Sequence, residues 1–99
     1  MNMTQPIHEQ DRFVQKEGHL VSDMGGEKVM MSIQSGRYYN LGSTGGHIWE
    51  LIAEERTLTE LVNTLASEYE IDPEVCREQV VLFLEHLTRE GLINITRGE

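Results

Sequence analysis

The first part of the chain alternates apolar and polar positions in the way that β-strands do. Two such runs, Leu20–Met24 and Glu27–Ile33, are joined by a Gly-Gly pair. This link favours a tight hairpin, because both glycines can take positive φ without steric cost. A third run, Arg37–Leu41, follows a second glycine-containing turn. The pattern therefore predicts a three-stranded antiparallel meander that ends near Gly42.

Helical spacing of the apolar residues replaces this alternation in the second half of the chain. The first predicted helix has Ser43 as its N-cap. The second opens at Thr57 in the capping-box sequence Thr-Leu-Thr-Glu. The third opens with Asp72-Pro73, an N-cap followed by a proline at the first helical position. Gly91 marks its end, where a left-handed residue is expected.

The order of the elements indicates the fold class. A three-stranded antiparallel sheet is followed by three helices, and a short apolar run, Leu92–Ile95, ends the pattern as a last strand or an extended cover on the core. Strands that are segregated from helices are typical of an α+β domain, and this set of elements predicts a winged helix-turn-helix. We expect residues 1–12 to form a flexible arm, 13–95 the domain and 96–99 a tail.

Length and charge narrow the class of function. The chain has 99 residues, enough for one hydrophobic core, and a net charge of −9. This charge argues against a nucleic-acid partner, because DNA-binding domains gain affinity by neutralising phosphates with Lys and Arg. The sequence contains neither a secretion signal nor the ~20 consecutive apolar residues of a membrane span. We therefore expect a cytoplasmic protein with no membrane partner.

The sequence offers little for catalysis or metal binding. The single cysteine, Cys76, lies in the first turns of the third helix, and no pattern supplies a base or an oxyanion site for it. The glycines after Ser43 lack the Gly-Lys-Ser/Thr ending of a phosphate-binding loop. Histidines are not paired at ligand spacing with one another or with the cysteine; they are His8, His19, His47 and His86. We predict no enzymatic activity, no metal and no cofactor.

The candidate binding element is the stretch GRYYNLG, residues 36–42. In a strand, Tyr38 and Asn40 point to one side, and the residues on either side of them point to the other. As the last strand of a meander it has an unpaired edge, and an extended peptide can pair with such an edge. The alternative from spacing alone is that both tyrosines only pack on or decorate the sheet.

The third helix carries five consecutive apolar residues, Val80–Leu84. One helix face cannot hold all five, so at least one points away from the core. They would form either an apolar groove wall or a surface that Leu92–Ile95 or the sheet covers. The sequence leaves both possibilities open.

Several segments in combination resemble the PqqD family, the peptide-recognition domains of pathways that modify ribosomally made peptides. The resemblance spans roughly residues 13–95. It is carried by Gly36–Leu41, Gly46–Ile52, Thr57, Leu61, Leu65, Phe83, Leu84, Leu87 and Gly91–Ile93. It implies a winged-helix domain that binds the leader segment of a precursor peptide as an added strand and does no chemistry itself.

The resemblance also implies which residues contact the peptide. On the third strand these are Arg37, Tyr38, Tyr39, Asn40 and Leu41; on the third helix they are Cys76, Gln79, Val80 and Phe83. Gln79 departs from the family, whose members often carry an acidic residue at this point. A charged contact is therefore not expected there.

The resemblance implies a partner enzyme as well. A free-standing domain with a short arm is similar to members of lasso-peptide clusters, in which the domain delivers the leader to a separate leader peptidase. The cyclase of the same pathway is a second candidate partner. Two alternatives stay open: a peptide chaperone for a radical SAM enzyme, and an acidic winged-helix transcription regulator. The oligomeric state is also open, since a free strand edge supports exchange of segments between copies.

Overall fold

The structure, a computed structural model, describes residues 7–97 of the chain. In chain order its elements are β1 (Arg12–Gln15), β2 (His19–Met24), β3 (Glu27–Ser32), β4 (Tyr38–Leu41), α1 (Gly42–Leu51), β5 (Arg56–Thr57), α2 (Leu58–Tyr69), α3 (Pro73–Arg89) and β6 (Ile93–Thr96). The predicted α+β class is confirmed, with a three-stranded antiparallel sheet followed by three helices.

The predicted meander is the sheet β2-β3-β4, called the wing sheet below. Met24 of β2 lies opposite Glu27 of β3, so the hairpin link is the Gly-Gly pair. Gly25 has φ +64° and Gly26 φ +89°, values that side-chain-bearing residues rarely adopt. The hairpin is thus closed at the residues that the sequence indicated.

A second small sheet, in the order β5-β1-β6, lies apart from the wing sheet. Phe13 of β1 pairs with Arg56 of β5 on one side and with Ile95 of β6 on the other, and its side chain is fully buried. The predicted last strand is confirmed as β6. Its partner β1 and the two-residue β5 could not be assigned from the sequence, because pairing between residues so far apart leaves no local pattern.

Residues 7–12, which we expected to belong to a flexible arm, pack onto the domain in the structure. Ile7 is buried in the core, and Asp11 is fully buried. Nη1 of Arg97 lies 2.7 Å from Oδ2 of Asp11, which orders part of the predicted tail as well. The two residues of this ion pair are 86 positions apart, so no local pattern in the sequence could predict their contact. Residues 1–6 and 98–99 lie outside the described range.

Helices α2 and α3 begin where their capping residues predict. The Thr57 hydroxyl accepts a hydrogen bond from the Glu60 amide (3.1 Å), and the Glu60 carboxylate accepts one from the Thr57 amide (2.9 Å). The Asp72 carboxylate accepts from the Glu74 amide at 2.8 Å. At the end of α3, Gly91 has φ +74°, as a left-handed terminal residue requires.

The start of α1 differs from the prediction. The N-cap residue is Leu41, which has no capping side chain, and the helix begins at Gly42 rather than after Ser43. The Gly42 amide instead donates to Oδ1 of Asn40 at 2.9 Å, so a side chain of the preceding strand satisfies one free donor of the helix. The wing sheet therefore continues into α1 without a loop.

The hydrophobic core lies between the helices and the inner faces of both sheets. Each large apolar side chain buried there stabilises the fold by about 1.5–3 kcal/mol relative to leaving it exposed. The most completely buried residues are Phe13, Met30, Ile52, Leu58, Leu61, Leu65, Leu84 and Leu87. This packing fixes α3 relative to β4, and the candidate site lies between these two elements.

Candidate functional site

Strand β4 is an edge strand. Its one neighbour in the wing sheet is β3, and no other strand within residues 7–97 pairs with its second edge. The Ser32 amide donates to the Arg37 carbonyl at 2.9 Å. Because bonded and non-bonded pairs alternate in an antiparallel ladder, the main-chain groups of Tyr39 also bond to β3. Those of Tyr38 and Asn40 consequently face the open edge.

The side chains of β4 alternate between two environments, as the sequence predicts. Tyr38 is 73% exposed on the outer face, where Asn40 donates to Oε1 of Glu27 at 3.2 Å. Leu41 is buried and Tyr39 half-buried on the inner face. One tyrosine therefore packs inward while the other stands in solvent.

The start of β4 is attached to the end of α3. The Tyr39 hydroxyl donates to Oε1 of Glu90 at 3.1 Å, and Nη1 of Arg37 lies 3.4 Å from the same oxygen. Glu90 directly follows α3, so these contacts fix the spacing between strand and helix at one end. Arg37 and Tyr39, which were both predicted to contact a peptide, thus contact Glu90 within the protein itself.

A mainly apolar groove of about 200 Å³ opens between the β4–α1 junction and α3, and it is called the groove below. It contains five of the nine residues that were predicted to contact a peptide: Leu41, Cys76, Gln79, Val80 and Phe83. Cys76 and Val80 are buried and form its floor, Phe83 is a half-buried wall, and Gln79 is an exposed rim. The structure thus gathers residues from two distant segments, while their role in binding stays a prediction.

Sequence reasoning missed part of the groove lining. Gly45 and Ile48 of α1 contribute to it, and so does Tyr69, the last residue of α2. Tyr69 is 43% exposed, and its hydroxyl oxygen lies 3.0 Å from Nδ1 of His47. Its position at the last residue of α2 was the available signal, because a side chain at a helix end often escapes the core.

The flank of α3 next to Phe83 is also partly apolar. At 100° per residue, Gln79, Val75 and Leu82 follow Phe83 around the helix in that order. Val75 is 46% exposed and Leu82 65% exposed. Leu82 is therefore the member of the run Val80–Leu84 that points away from the core.

Two of the larger depressions on the described surface illustrate walls that contain charged residues. One, of about 530 Å³, lies at the N-terminal ends of α2 and α3, where Glu9 and Arg77 form an ion pair at 3.2 Å. The other, of about 410 Å³, lies beyond the Tyr39–Glu90 contact and includes Lys16 and Glu17. The first contains no residue of β4, and the second is bordered by several charged side chains, whereas no described residue lining the groove is charged. The groove is therefore the better candidate for binding an apolar group.

The groove contains one thiol, that of Cys76. Burial raises the pKa of the Cys76 thiol, and its Sγ lies 3.9 Å from the Val62 carbonyl oxygen. A raised pKa keeps the thiol protonated and weakly nucleophilic at neutral pH.

Within residues 7–97 there is no group of three or more His, Cys, Asp or Glu side chains arranged to hold a metal ion. The helices in this range are too short or too polar to cross a membrane.

Three solved structures share the fold over most of their length. TbiB1 in complex with the TbiA(beta) leader peptide has a TM-score of 0.75 and 23% identity, covering 87% of this chain and 99% of that one. A lasso peptide synthetase B1 complexed with the leader peptide has a TM-score of 0.73 and 20% identity, covering 83% of this chain and 96% of that one.

The third structure is the PqqD truncation of Methylobacterium extorquens PqqCD, described as a stand-alone recognition element for ribosomally synthesized and post-translationally modified peptides. It has a TM-score of 0.75 and 14% identity, covering 89% of this chain and 94% of that one. At these identities the likeness shows the fold alone.

Sequence comparison identifies the family. No curated protein matches the chain significantly by sequence. The family model for PqqD, described as coenzyme PQQ synthesis protein D, matches residues 27–93, which include β3, β4 and all three helices. Because this match spans more than half of the chain, the protein belongs to the PqqD family.

Proposed function

We propose that this protein is a non-catalytic adaptor in lasso-peptide biosynthesis. It binds the leader segment of a ribosomally made precursor peptide as an added strand on β4 and delivers it to a partner leader peptidase. The observation that carries the proposal is the free edge of β4 beside an apolar groove.

The free edge supplies main-chain recognition. The amides and carbonyls of Tyr38 and Asn40 face outward, so an extended peptide can bond to them at the strand spacing of about 4.8 Å. Every second side chain of this guest strand then faces α3, where Phe83 and Gln79 border the groove. Main-chain pairing gives affinity, and the groove gives selectivity for side chains.

Relatives of the same fold support this reading. Two of the similar structures are complexes with a leader peptide, and the third is described as a recognition element for modified peptides. Burial raises the pKa of the Cys76 thiol, so this side chain offers a bound peptide an apolar contact. In our proposal a separate peptidase cleaves the precursor.

The direct test uses the full chain and a library of random peptides displayed on phage. Enriched peptides are synthesised with a fluorescent label and titrated by anisotropy, and amide shifts map the contact. We expect saturable binding with shifts on β4 and α3, and about tenfold weaker binding for Tyr39→Ala or Phe83→Ala, as for central interface residues. Ile33→Ala, on the exposed outer side, is the control. Failure to enrich any peptide, or shifts confined to other surfaces, contradicts the proposal.

The delivery step needs its own assay. A leader peptidase and precursor encoded beside this chain are incubated with and without it, and cleavage is followed by mass spectrometry. Faster cleavage that depends on Phe83 supports delivery. Equal cleavage in both reactions would remove the peptidase from the proposal while leaving peptide binding untouched.

A second candidate is a chaperone that presents its peptide to a radical SAM enzyme. It is favoured by the matching family model, which is that of a quinone-cofactor synthesis protein. Both candidates require the same groove, so they differ in the partner enzyme alone. Co-purification with a radical SAM protein rather than a peptidase identifies this second function.

DNA binding is less favoured by the charges. Within residues 7–97, the following Lys and Arg side chains lie within 4.0 Å of a carboxylate: Lys28, Arg37, Arg56, Arg77 and Arg97. Little positive charge is left to neutralise phosphates. A gel shift at low salt is expected to show no complex.

A further inference from the structure

Gly45 lies where α1 comes nearest to the ring of Phe83. A Cβ atom built on Gly45 would lie 2.9 Å from Cε1 and 3.0 Å from Cζ of that ring, and 3.5 Å from Cβ of Leu41. Carbon atoms pack favourably at about 3.5–4.0 Å. The ring therefore occupies the space that a side chain at position 45 would need.

Backbone conformation does not demand glycine at this position. Gly45 lies inside α1 and is not among the described glycines with positive φ. An interior glycine weakens a helix relative to alanine, so α1 would form more readily with alanine here. The close approach of the Phe83 ring is the structural reason for a residue without a side chain.

The groove has room for a single large side chain. Its volume of about 200 Å³ is below the ~300–1,000 Å³ of pockets that hold drug-sized ligands. None of the described residues that line it is charged. An apolar side chain, branched or aromatic, is the chemistry that fits such a space.

We propose that Gly45 is a specificity-determining residue of the groove. By letting the Phe83 ring lie against α1, it keeps the groove open for one large apolar side chain of the bound peptide. This inference rests on the proposed function of the groove as a leader-binding site. It adds the feature that selects the peptide side chain. This feature is the width of the groove, which stays large because Gly45 lets the Phe83 ring lie against α1.

The consequence of adding a methyl group follows from the packing around the ring. Ile48 and Val80 at the floor of the groove are each 2% exposed, so the ring cannot move inward. It must move into the groove and narrow it. Gly45→Ala is therefore expected to reject peptides with a large apolar anchor while the fold is retained.

The test measures binding of the labelled peptide that the wild-type chain enriches from the displayed library, and of the same peptide with its apolar anchor changed to alanine. Gly45→Ala should weaken binding of the first about tenfold, as overpacking of a filled site does. It should change binding of the second little. Ser43→Ala, exposed in the same helical turn, is the matched control and should bind both peptides like the wild type.

A compensating variant separates a positioning role from general damage to the fold. Phe83→Leu shortens the side chain that the new methyl group meets. The double variant should bind the anchored peptide less than about threefold more weakly than Phe83→Leu alone. The two substitutions are not additive in affinity, because the two side chains are in contact. Thermal unfolding of each variant checks that the fold persists.

The outcomes are distinguishable. If the wild-type chain enriches no peptide, the proposed function itself fails. If it binds the anchored peptide and Gly45→Ala binds it equally well, the inference about Gly45 is overturned and the adaptor function stands. Equal loss on both peptides, with no recovery in the double variant, likewise overturns the inference.

Discussion

Cys76 belongs both to the hydrophobic core and to the lining of the candidate site. Its side chain is 3% exposed, it packs in the hydrophobic core, and it also lines the groove. Burial raises the pKa of the thiol, because the thiolate would lose its hydration there. Its position in the first turns of α3 would by itself favour the thiolate, so burial and the helix dipole act on this thiol in opposite directions.

Alkylation of Cys76 measures this directly. At pH 8 iodoacetamide should modify the native chain several times more slowly than the urea-unfolded chain, as followed by intact mass. The raised pKa means that fewer native chains carry a thiolate at this pH, so the rate should still rise at higher pH. A bound peptide should slow the reaction further. Native and unfolded chains reacting at one rate would contradict a buried, protonated thiol.

Strand β4 connects the two halves of the site. It bonds to β3 through Tyr39, and Arg37 just before it accepts from the Ser32 amide. The strand packs Leu41 into the core and runs directly into α1. Its outer edge keeps the main-chain groups of Tyr38 and Asn40 free within the described chain. An edge of this kind binds a guest through donors and acceptors that no side-chain substitution removes, except proline.

Proline at position 38 tests the edge, because it removes an amide that does not bond to β3. Tyr38→Pro should weaken peptide binding by about one hydrogen bond, ~1 kcal/mol or roughly fivefold. Tyr38→Ala keeps the amide and is the matched control for loss of the ring. Anisotropy titrations compare the two, and thermal unfolding checks the sheet. Equal affinities for Pro and Ala would show that the guest does not bond at this amide.

At the scale of the whole molecule, residues near both ends of the described range contact the domain and each other. The main-chain carbonyls of Glu9 and Asp11 accept from the amides of Thr59 and Leu58 at the start of α2, at 3.4 and 3.3 Å. The Asp11 carboxylate meets Arg97 beyond β6. The N-terminal part of the described chain therefore belongs to the domain and lies against the start of α2.

Removing the carboxylate of Asp11 should lower the free energy of unfolding. Asp11→Ala deletes a fully buried carboxylate that accepts hydrogen bonds from the Arg97 guanidinium and the His8 amide. Losing hydrogen bonds to a charged group costs roughly 2 kcal/mol of unfolding free energy. Urea unfolding measures the loss. Asp23→Ala, whose side chain is 64% exposed, is the control and should change stability by less than ~0.5 kcal/mol. Stability equal to that of the wild type would mean that the segment contributes little to the fold.

Much of the site was predictable where local signals define it. The paired glycines predicted the hairpin between β2 and β3, and the alternation of side chains along a strand predicted that Tyr38 and Tyr39 point to opposite faces. The capping residues Thr57 and Asp72 placed α2 and α3. Helical spacing then put Cys76, Val80 and Phe83 on neighbouring turns. The resemblance linked the strand to the helix, and the family match agrees with it.

The sequence by itself determined the local elements, because turn chemistry, capping and alternation act over a few residues and remain legible in the chain. The tertiary structure alone decided the second sheet, the Asp11–Arg97 closure and the shape of the groove. Those features join residues tens of positions apart, and their strength comes from burial and desolvation that exist only once the chain has folded. Gly45 is the clearest case: its role depends on a ring from another helix arriving within 3.0 Å of where its side chain would be.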